Sequence, residues 1–294
     1  MSAERAFIES LKALAREPAA RGLADDCAVL EVGGETLVLT HDVLVEGVHT
    51  LPGQDLADVA WKLVSVNLSD LAAKGSRPLG VLLGHMLGPG DERFVAGLTE
   101  ALKRYDVPLL GGDTSSGGPP RCWGLTAVGQ ATHRPVPSRA GAKPGDTVWV
   151  TGPLGAAMAG FEALRDGTGA DSTAYRRPLA CLGEGRALAP LVSAMMDISD
   201  GLLLDASRMA GASGVTLALN SSAVPIAVPE SRRAEALRWG EDYELLFTLP
   251  AGIEPTVSAW HIGEACERAE AALLLDGEAP AGPLGYEHGR EADS

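Results

Sequence analysis

A chain of 294 residues with 46% hydrophobic and 21% charged residues has the length for two packed domains and is too apolar to be disordered. Its formal charge of −15 is the wrong sign for a nucleic-acid or anionic-membrane surface, and no apolar run approaches the ~18 residues of a membrane span. No basic stretch followed by an apolar one opens the chain, so a soluble cytoplasmic protein is expected.

Residues 4–16 read as an amphipathic helix with Phe7, Ile8, Leu11 and Leu14 on one face. Strands follow at Ala28–Val32 and Thr36–Leu39 around the turn Gly33-Gly34, the second delivering Thr40, His41 and Asp42 at its end. Residues 55–74 are the clearest helix, with Asp55 as N-cap and Gly75 then Pro78 as its stop. Its apolar stripe of Leu56, Val59, Ala60, Leu63 and Leu71 also carries Asn67 and Asp70. A carboxylate on the core-facing side of a helix needs a metal, a ligand or a strong hydrogen bond. Strand Gly80–Leu87, helix Asp91–Tyr105, a short buried strand Val107–Leu110 and strand Trp123–Gly129 complete the first half.

The run Ser138–Asp146 breaks the composition and divides the chain into domains 1–138 and 139–294. The second half reads as strand Thr147–Thr151, turn Gly152–Gly155, helix Ala156–Leu164, a loop over 165–174 and a helix over 183–193. A turn Asp197–Gly201, helix Leu202–Ala210, strand Val215–Leu219, helix 230–238 and strand Tyr243–Leu249 follow, before a less regular tail. Both halves mix strands and helices, so α/β and α+β domains are expected. Cys27, Cys122, Cys181 and Cys266 are far apart, with no zinc spacing, and read as buried free thiols.

Five short aspartate clusters carry the chemistry: Asp25-Asp26, Thr40-His41-Asp42, Asn67-Leu68-Ser69-Asp70, Gly111-Gly112-Asp113-Thr114-Ser115 and Asp197-Ile198-Ser199-Asp200-Gly201. Carboxylates crowded into turns repel unless a cation lies between them, and Mg²⁺, the usual hard cation, normally brings phosphates. No P-loop, dinucleotide turn or H-R-D catalytic loop is present, so a phosphate site must use metals and glycine-turn amides. Gly111–Gly118 suits close backbone approach to a phosphate. The Asp197–Gly201 turn opens a helix, where free amides attract phosphate.

These clusters, with Val45-Glu46-Gly47-Val48-His49, Arg139–Asp146 and Gly240-Glu241-Asp242-Tyr243-Glu244-Leu245, resemble thiamine-monophosphate kinases, in family order over roughly residues 22–250. The wider superfamily holds aminoimidazole ribonucleotide synthetase, selenophosphate synthetase and the hydrogenase-maturation dehydratase. The resemblance implies a two-domain fold of that type, an N-terminal α/β domain and a C-terminal α+β domain. It also implies a homodimer joined through the N-terminal sheet, with ATP near the interface. The implied activity is ATP-dependent phosphorylation of thiamine monophosphate to thiamine diphosphate, with several Mg²⁺ ions, ATP as co-substrate, K⁺ allowed, and no acid, base or nucleophile from the protein.

Residue by residue, Asp26, Thr40, Asp42, Asp70, Asp113, Asp197 and Asp200 match the metal side. Tyr105, Gly111, Gly112, Arg139 and Ser199 match the ATP side, and His49, Glu241 and Tyr286 the thiamine-phosphate side. The chain departs from the family pattern at Ala24, where a glycine is usual, and at His41, where a hydroxyl residue is common. Alanine at the first position is strained if φ must be positive there. The competing readings are another ATP-using superfamily member and a silent metal- or nucleotide-binding protein.

Overall fold

The structure is a computed structural model and describes residues 3–287. The first half forms a five-stranded sheet from β1 (Ala28–Val32), β2 (Glu35–Val45), β3 (Ser76–Leu87), β4 (Leu109–Ser116) and β5 (Cys122–Ala131). The strand order is β1-β2-β5-β3-β4, and only the β3–β4 pair is parallel. The second half forms a six-stranded sheet from β6 (Thr147–Val150), β7 (Ala194–Asp197), β8 (Thr216–Leu219), β9 (Leu245–Leu249), β10 (Trp260–Cys266) and β11 (Leu273–Leu275). Its order is β11-β8-β10-β6-β9-β7. Eight α-helices accompany the sheets among the described residues: α1 (Ala3–Leu11), α2 (Leu56–Ala73), α3 (Asp91–Tyr105), α4 (Ala156–Arg165), α5 (Thr173–Arg176), α6 (Leu182–Leu188), α7 (Leu202–Ser213) and α8 (Arg233–Ala236).

Helix α2 decides the architecture. Asp55 caps it as expected, its carboxylate accepting from the Ala57 amide at 3.0 Å. The single apolar stripe is corrected, however: 15 of the 18 residues of α2 are buried, including Asp58, Lys62 and Ser69. One apolar core packs Val59, Leu63 and Leu71 together with Val81 and Trp123 of the first sheet, and with Leu245, Phe247 and Leu249 of the second. The helix therefore runs between two sheets and is enclosed on both sides. Gly97 of α3 and Gly185 of α6 permit this, since a Cβ on either would sit 2.0 Å from a carbonyl oxygen of α2 (Ala57 and Ala72, respectively).

Several local expectations change. The first helix stops at Leu11, and the expected helix 183–193 is α6 followed by strand β7, which feeds Asp197 into the site. Residues 230–238 hold a 3₁₀ turn, Glu230–Arg232, and the single turn of α8. Strands β10 and β11 lie in the supposedly irregular tail. The expected short buried strand at 107–110 is instead the start of β4, an edge strand exposed along all eight residues, and Gly111–Ser116 is strand, not loop. Of the four free cysteines only Cys27 is buried; Cys122 and Cys266 are exposed. On the face of the first sheet away from α2, Val43 and Leu82 stand exposed beside Leu109 and Leu110 of the edge.

The α6–α2 contact gives a test with an internal control. Gly185→Ala should lower the unfolding free energy by about 1–3 kcal/mol, the cost of overpacking. Gly183→Ala in the same helix, where a Cβ meets nothing within 4 Å, should be neutral or stabilising. Urea denaturation of both variants measures this, and equal effects would mean that close approach is not what requires glycine.

Candidate active site

Strand alternation places the first of the expected site residues. Thr40 and Asp42, two apart on β2, face α2, while His41 between them faces outward and bonds Thr126 across the sheet at 2.9 Å. The His41 departure from the family pattern therefore does not touch the acidic cluster. Ala24 has φ −114° and is unstrained; the positive φ values fall on Arg21, Gly22 and Leu23. Asn67 locks the strand to the helix, accepting from the Asp42 amide at 3.1 Å and donating to the Leu63 carbonyl at 2.9 Å.

Asp26 before β1, Asp70 on α2 and Asp197 at the end of β7 offer carboxylate oxygens that all lie within 4.8 Å of one another. The Thr40 hydroxyl donates to Asp70, and that of Ser69 to Asp197 at 2.6 Å. Burial, then the neighbouring charges of Asp26 and Asp200, pushes Asp42 up to about 6. Burial and Asp26 push Asp197 up to about 8, and burial with Asp42 and Asp197 puts Asp70 well above the usual carboxylate range. At Asp26 burial works upward too, but the charges of Lys74 and Arg139 prevail and hold it low. Lys74 is wholly buried and donates to Asp25 at 2.5 Å and to Asp26 at 2.6 Å, while Arg139 pairs with Asp26 from across the domain junction. This donor set, three converging carboxylates braced by Lys74 and Arg139 at one end, fits a hard divalent cation with oxygen ligands.

The Asp197–Gly201 turn is built differently from expectation. The carboxylate of Asp205 accepts from the Ser199 and Asp200 amides at 3.2 and 3.0 Å, so those amides are engaged inside the protein. Arg208 bonds both Asp200 and Asp205, the latter at 2.9 Å. Glu241 and Tyr243 both adopt positive φ (66° and 53°), and their amides donate to Ser199 and Ile198 carbonyls at 2.8 and 2.9 Å, which ties this segment to the turn.

A cavity of about 680 Å³ opens over Asp42, Asp70 and Asp197, with His49, Glu241 and Tyr286 in its walls. Ser199 and Asp200 line it as well, and the Tyr286 amide donates to the Asp200 carbonyl at 2.9 Å. His49 Nδ1 accepts from the Val45 amide at 3.0 Å, so in the neutral ring the proton sits on Nε2. The buried indole N–H of Trp239, also in this wall, has no hydrogen-bond partner among the described residues.

Other expected residues are not brought here within one chain. Asp113 lies exposed on edge strand β4 and is not among the three converging carboxylates. Gly111 and Gly112 share that strand. A Cβ on Gly112 would meet the Leu83 carbonyl oxygen at 1.9 Å, so sheet packing alone already demands glycine there. The Tyr105 hydroxyl bonds Ser65 at 3.1 Å and accepts from the Ala180 amide at 3.0 Å, lining a second cavity of about 750 Å³. Sequence reasoning missed Lys74, Lys62 and Ser69. For Lys62 and Ser69 the signal was a polar residue on the remaining faces of a helix whose other positions are nearly all apolar; Lys74 follows directly on the end of that helix.

Comparison with known proteins agrees with this architecture. Residues 24–131 match the model for the AIR synthase related protein N-terminal domain, and residues 143–275 that for its C-terminal domain. The thiamine-monophosphate kinase of Escherichia coli (strain K12) is 38% identical over 249 residues, covering 78% of this chain and 76% of the relative. The chain belongs to the thiamine-monophosphate kinase family. A solved structure of this family, AaThiL complexed with AMPPCP and TMP, superposes with a TM-score of 0.86 at 32% identity, covering 96% of each chain. The hydrogenase maturation protein HypE in complex with ATP shares the fold, with a TM-score of 0.71 at 20% identity over 95% of this chain and 93% of that one.

The raised carboxyls set a pH dependence. Asp42 and Asp197 bind protons more tightly folded than unfolded, so their contribution to stability is full below about pH 4 and is lost as pH rises through their folded values of about 6 and about 8. In chelator, the unfolding free energy should therefore decline from about pH 5 to about pH 8.5, and Asp197→Asn should flatten the upper part of that decline. Denaturant titrations across pH measure it; an identical profile for the variant would show that Asp197 is ionised throughout.

Proposed function

We propose that this protein transfers the γ-phosphoryl group of ATP to the phosphate of thiamine monophosphate, giving ADP and thiamine diphosphate. The observation that carries the reading is the cavity whose walls hold Asp70 and Asp197, two of the three converging carboxylates, together with His49, Glu241 and Tyr286. The bond between the γ-phosphorus and the ADP oxygen breaks as a bond to an acceptor phosphate oxygen forms. That oxygen is already anionic, so no base has to remove a proton, and the protein supplies positioning and charge.

Asp26, Asp42, Asp70, Asp197 and Asp200, with Thr40, would hold Mg²⁺, which when bound neutralises the two phosphate-bearing reactants. Lys74 and Arg139 keep Asp26 ionised for that purpose, and Thr40 and Ser69 orient Asp70 and Asp197. Arg139 and Ser199 serve the ATP side. His49, Glu241 and Tyr286 hold the thiamine phosphate. The chain divides at 138/139, between strands β5 and β6, into an ATP- and metal-binding domain and a C-terminal domain. A cytoplasmic location, where ATP is supplied, suits the reaction.

A homodimer completes the reading. The outer face of the first sheet exposes Val43 and Leu82, with Leu109 and Leu110 on its edge, which a second copy would bury. Such pairing would bring Gly111, Gly112 and Asp113 of one subunit toward the nucleotide of the other. Sedimentation should give a dimer, and Leu82→Asp should shift it to monomer with loss of turnover. A wild-type monomer with full activity would refute the pairing.

Incubation with ATP, Mg²⁺ and thiamine monophosphate, followed by chromatography, should yield thiamine diphosphate. Asp70→Asn should lower turnover at least ~100-fold, because phosphoryl transfer depends on electrostatic stabilisation at this centre. Product absent with thiamine monophosphate but formed with another acceptor would overturn the substrate assignment.

A further inference from the structure

Lys62 stands in the middle of α2 with no solvent exposure. Its ammonium donates to Glu241 Oε1 at 2.6 Å and to the His49 carbonyl at 2.9 Å, and lies 3.9 Å from the centroid of the Tyr175 ring. Two hydrogen bonds and a cation–π contact thus engage the charge from three segments of chain. Tyr175 is itself fixed. Its hydroxyl donates to the same His49 carbonyl at 3.3 Å, and the two residues after it, Arg176 and Arg177, each pair at 2.5 Å with Asp58, one turn before Lys62 on α2. Burying an ion pair adds little stability over an apolar packing of the same volume, so stability alone is a poor reason for a lysine here. Geometry is a better one. The backbone of Glu241 is tied to Ser199 in the carboxylate turn, and Gly240 before it leaves no room to slide, since a Cβ there would sit 2.2 Å from the Ser199 carbonyl oxygen. The remaining freedom of Glu241 is in its side chain, and Lys62 removes it.

We propose that Lys62 is the positioning residue for Glu241, a fixed ammonium on the helix that also carries Asp70, which holds the acceptor-side carboxylate at a set place relative to the metal-side carboxylates. The ammonium engages Oε1, leaving Oε2 to accept an N–H from the thiamine monophosphate. The proposal rests on the kinase reading above for the identity of the acceptor, but not for the existence of the lysine–glutamate–histidine junction. Lys62 touches neither reactant; it acts through Glu241.

A double-variant cycle tests this. Lys62→Met and Glu241→Gln should each raise KM for thiamine monophosphate about 10-fold, with KM for ATP changed by less than about 2-fold. The double variant should be no worse than Glu241→Gln alone, because Lys62 has nothing further to position. Lys62→Met strands a buried carboxylate. If it does not fold, the double variant, which removes both charges, still decides the matter against Glu241→Gln. A further rise of about 10-fold in acceptor KM, or equal rises in both KM values, would overturn the proposal. Independently of turnover, the ¹⁵N signal of the Lys62 ammonium should be protected from exchange in the wild type and lose that protection in Glu241→Gln. An unprotected ammonium in the wild type would refute the junction itself. A protected ammonium in a protein that makes no thiamine diphosphate would instead refute the kinase reading.

Discussion

Mutual repulsion among buried carboxylates is the constraint around which the molecule is arranged. Asp26, Asp70 and Asp197 converge from three separate segments, with the Asp42 charge close by, so the fold must compensate for charge it has itself concentrated. It does so asymmetrically. At one end Lys74 and Arg139 brace Asp26 and keep it anionic; at the other, burial and neighbouring charge drive Asp70 and Asp197 toward their protonated forms. Hydroxyls from Thr40 and Ser69 hold these carboxyls in place whichever form they take. Concentrating carboxylates in this way costs the folded state stability, a trade expected of a functional centre.

Helix α2 makes that arrangement rigid. Enclosed between the two sheets, it contributes Asp70, the Ser69 hydroxyl and the Asn67 amide at its C-terminal half, and Asp58 and Lys62 at its N-terminal half, with Lys74 just beyond its end. Each of these polar groups has a partner on another element. The helix therefore sets the distance between Asp70 at one end of the cavity and the Lys62-bound Glu241 at the other as a matter of helix geometry. The close approaches at Gly97 and Gly185 pin α2 on either side and leave little room for it to shift. Ridged packing of this sort transmits position well, because close-packed cores are stiff.

Much of the site was legible in the chain, and for local reasons. Thr40 and Asp42 share a face because strands alternate; Asp55 caps α2 because a side-chain oxygen can reach the second amide of the helix; the Asp197–Gly201 segment opens α7 as its small and acidic residues suggested. Each is decided within a few residues. The same locality explains the errors. Gly111–Ser116 looks like a loop by composition and is an edge strand because β3 pairs with it in parallel; β10 and β11 are held by partners far earlier in the chain, such as Leu219 for Gly263 and Leu217 for Leu273. A one-sided reading of α2 followed from its apolar periodicity, which reports one buried face well and a fully enclosed helix poorly.

The sequence by itself determined the chemistry available: an acidic chain, short of aromatic residues, with aspartates at the ends of apolar segments and a set of motifs whose order places it in one family. Only the tertiary structure decided which of those groups meet. It brings Asp26, Asp70 and Asp197 within reach of one ion, sends Asp113 to an exposed edge, turns the Tyr105 hydroxyl toward Ser65 and Ala180, and joins Lys62 to Glu241 and Lys74 to Asp25 and Asp26. The physical reason is that periodicity and capping act through hydrogen bonds and packing between near neighbours. The pairing of a buried charge is settled by whichever opposite charge the folded chain delivers to it, and Lys62 and Glu241 come from opposite halves of the molecule.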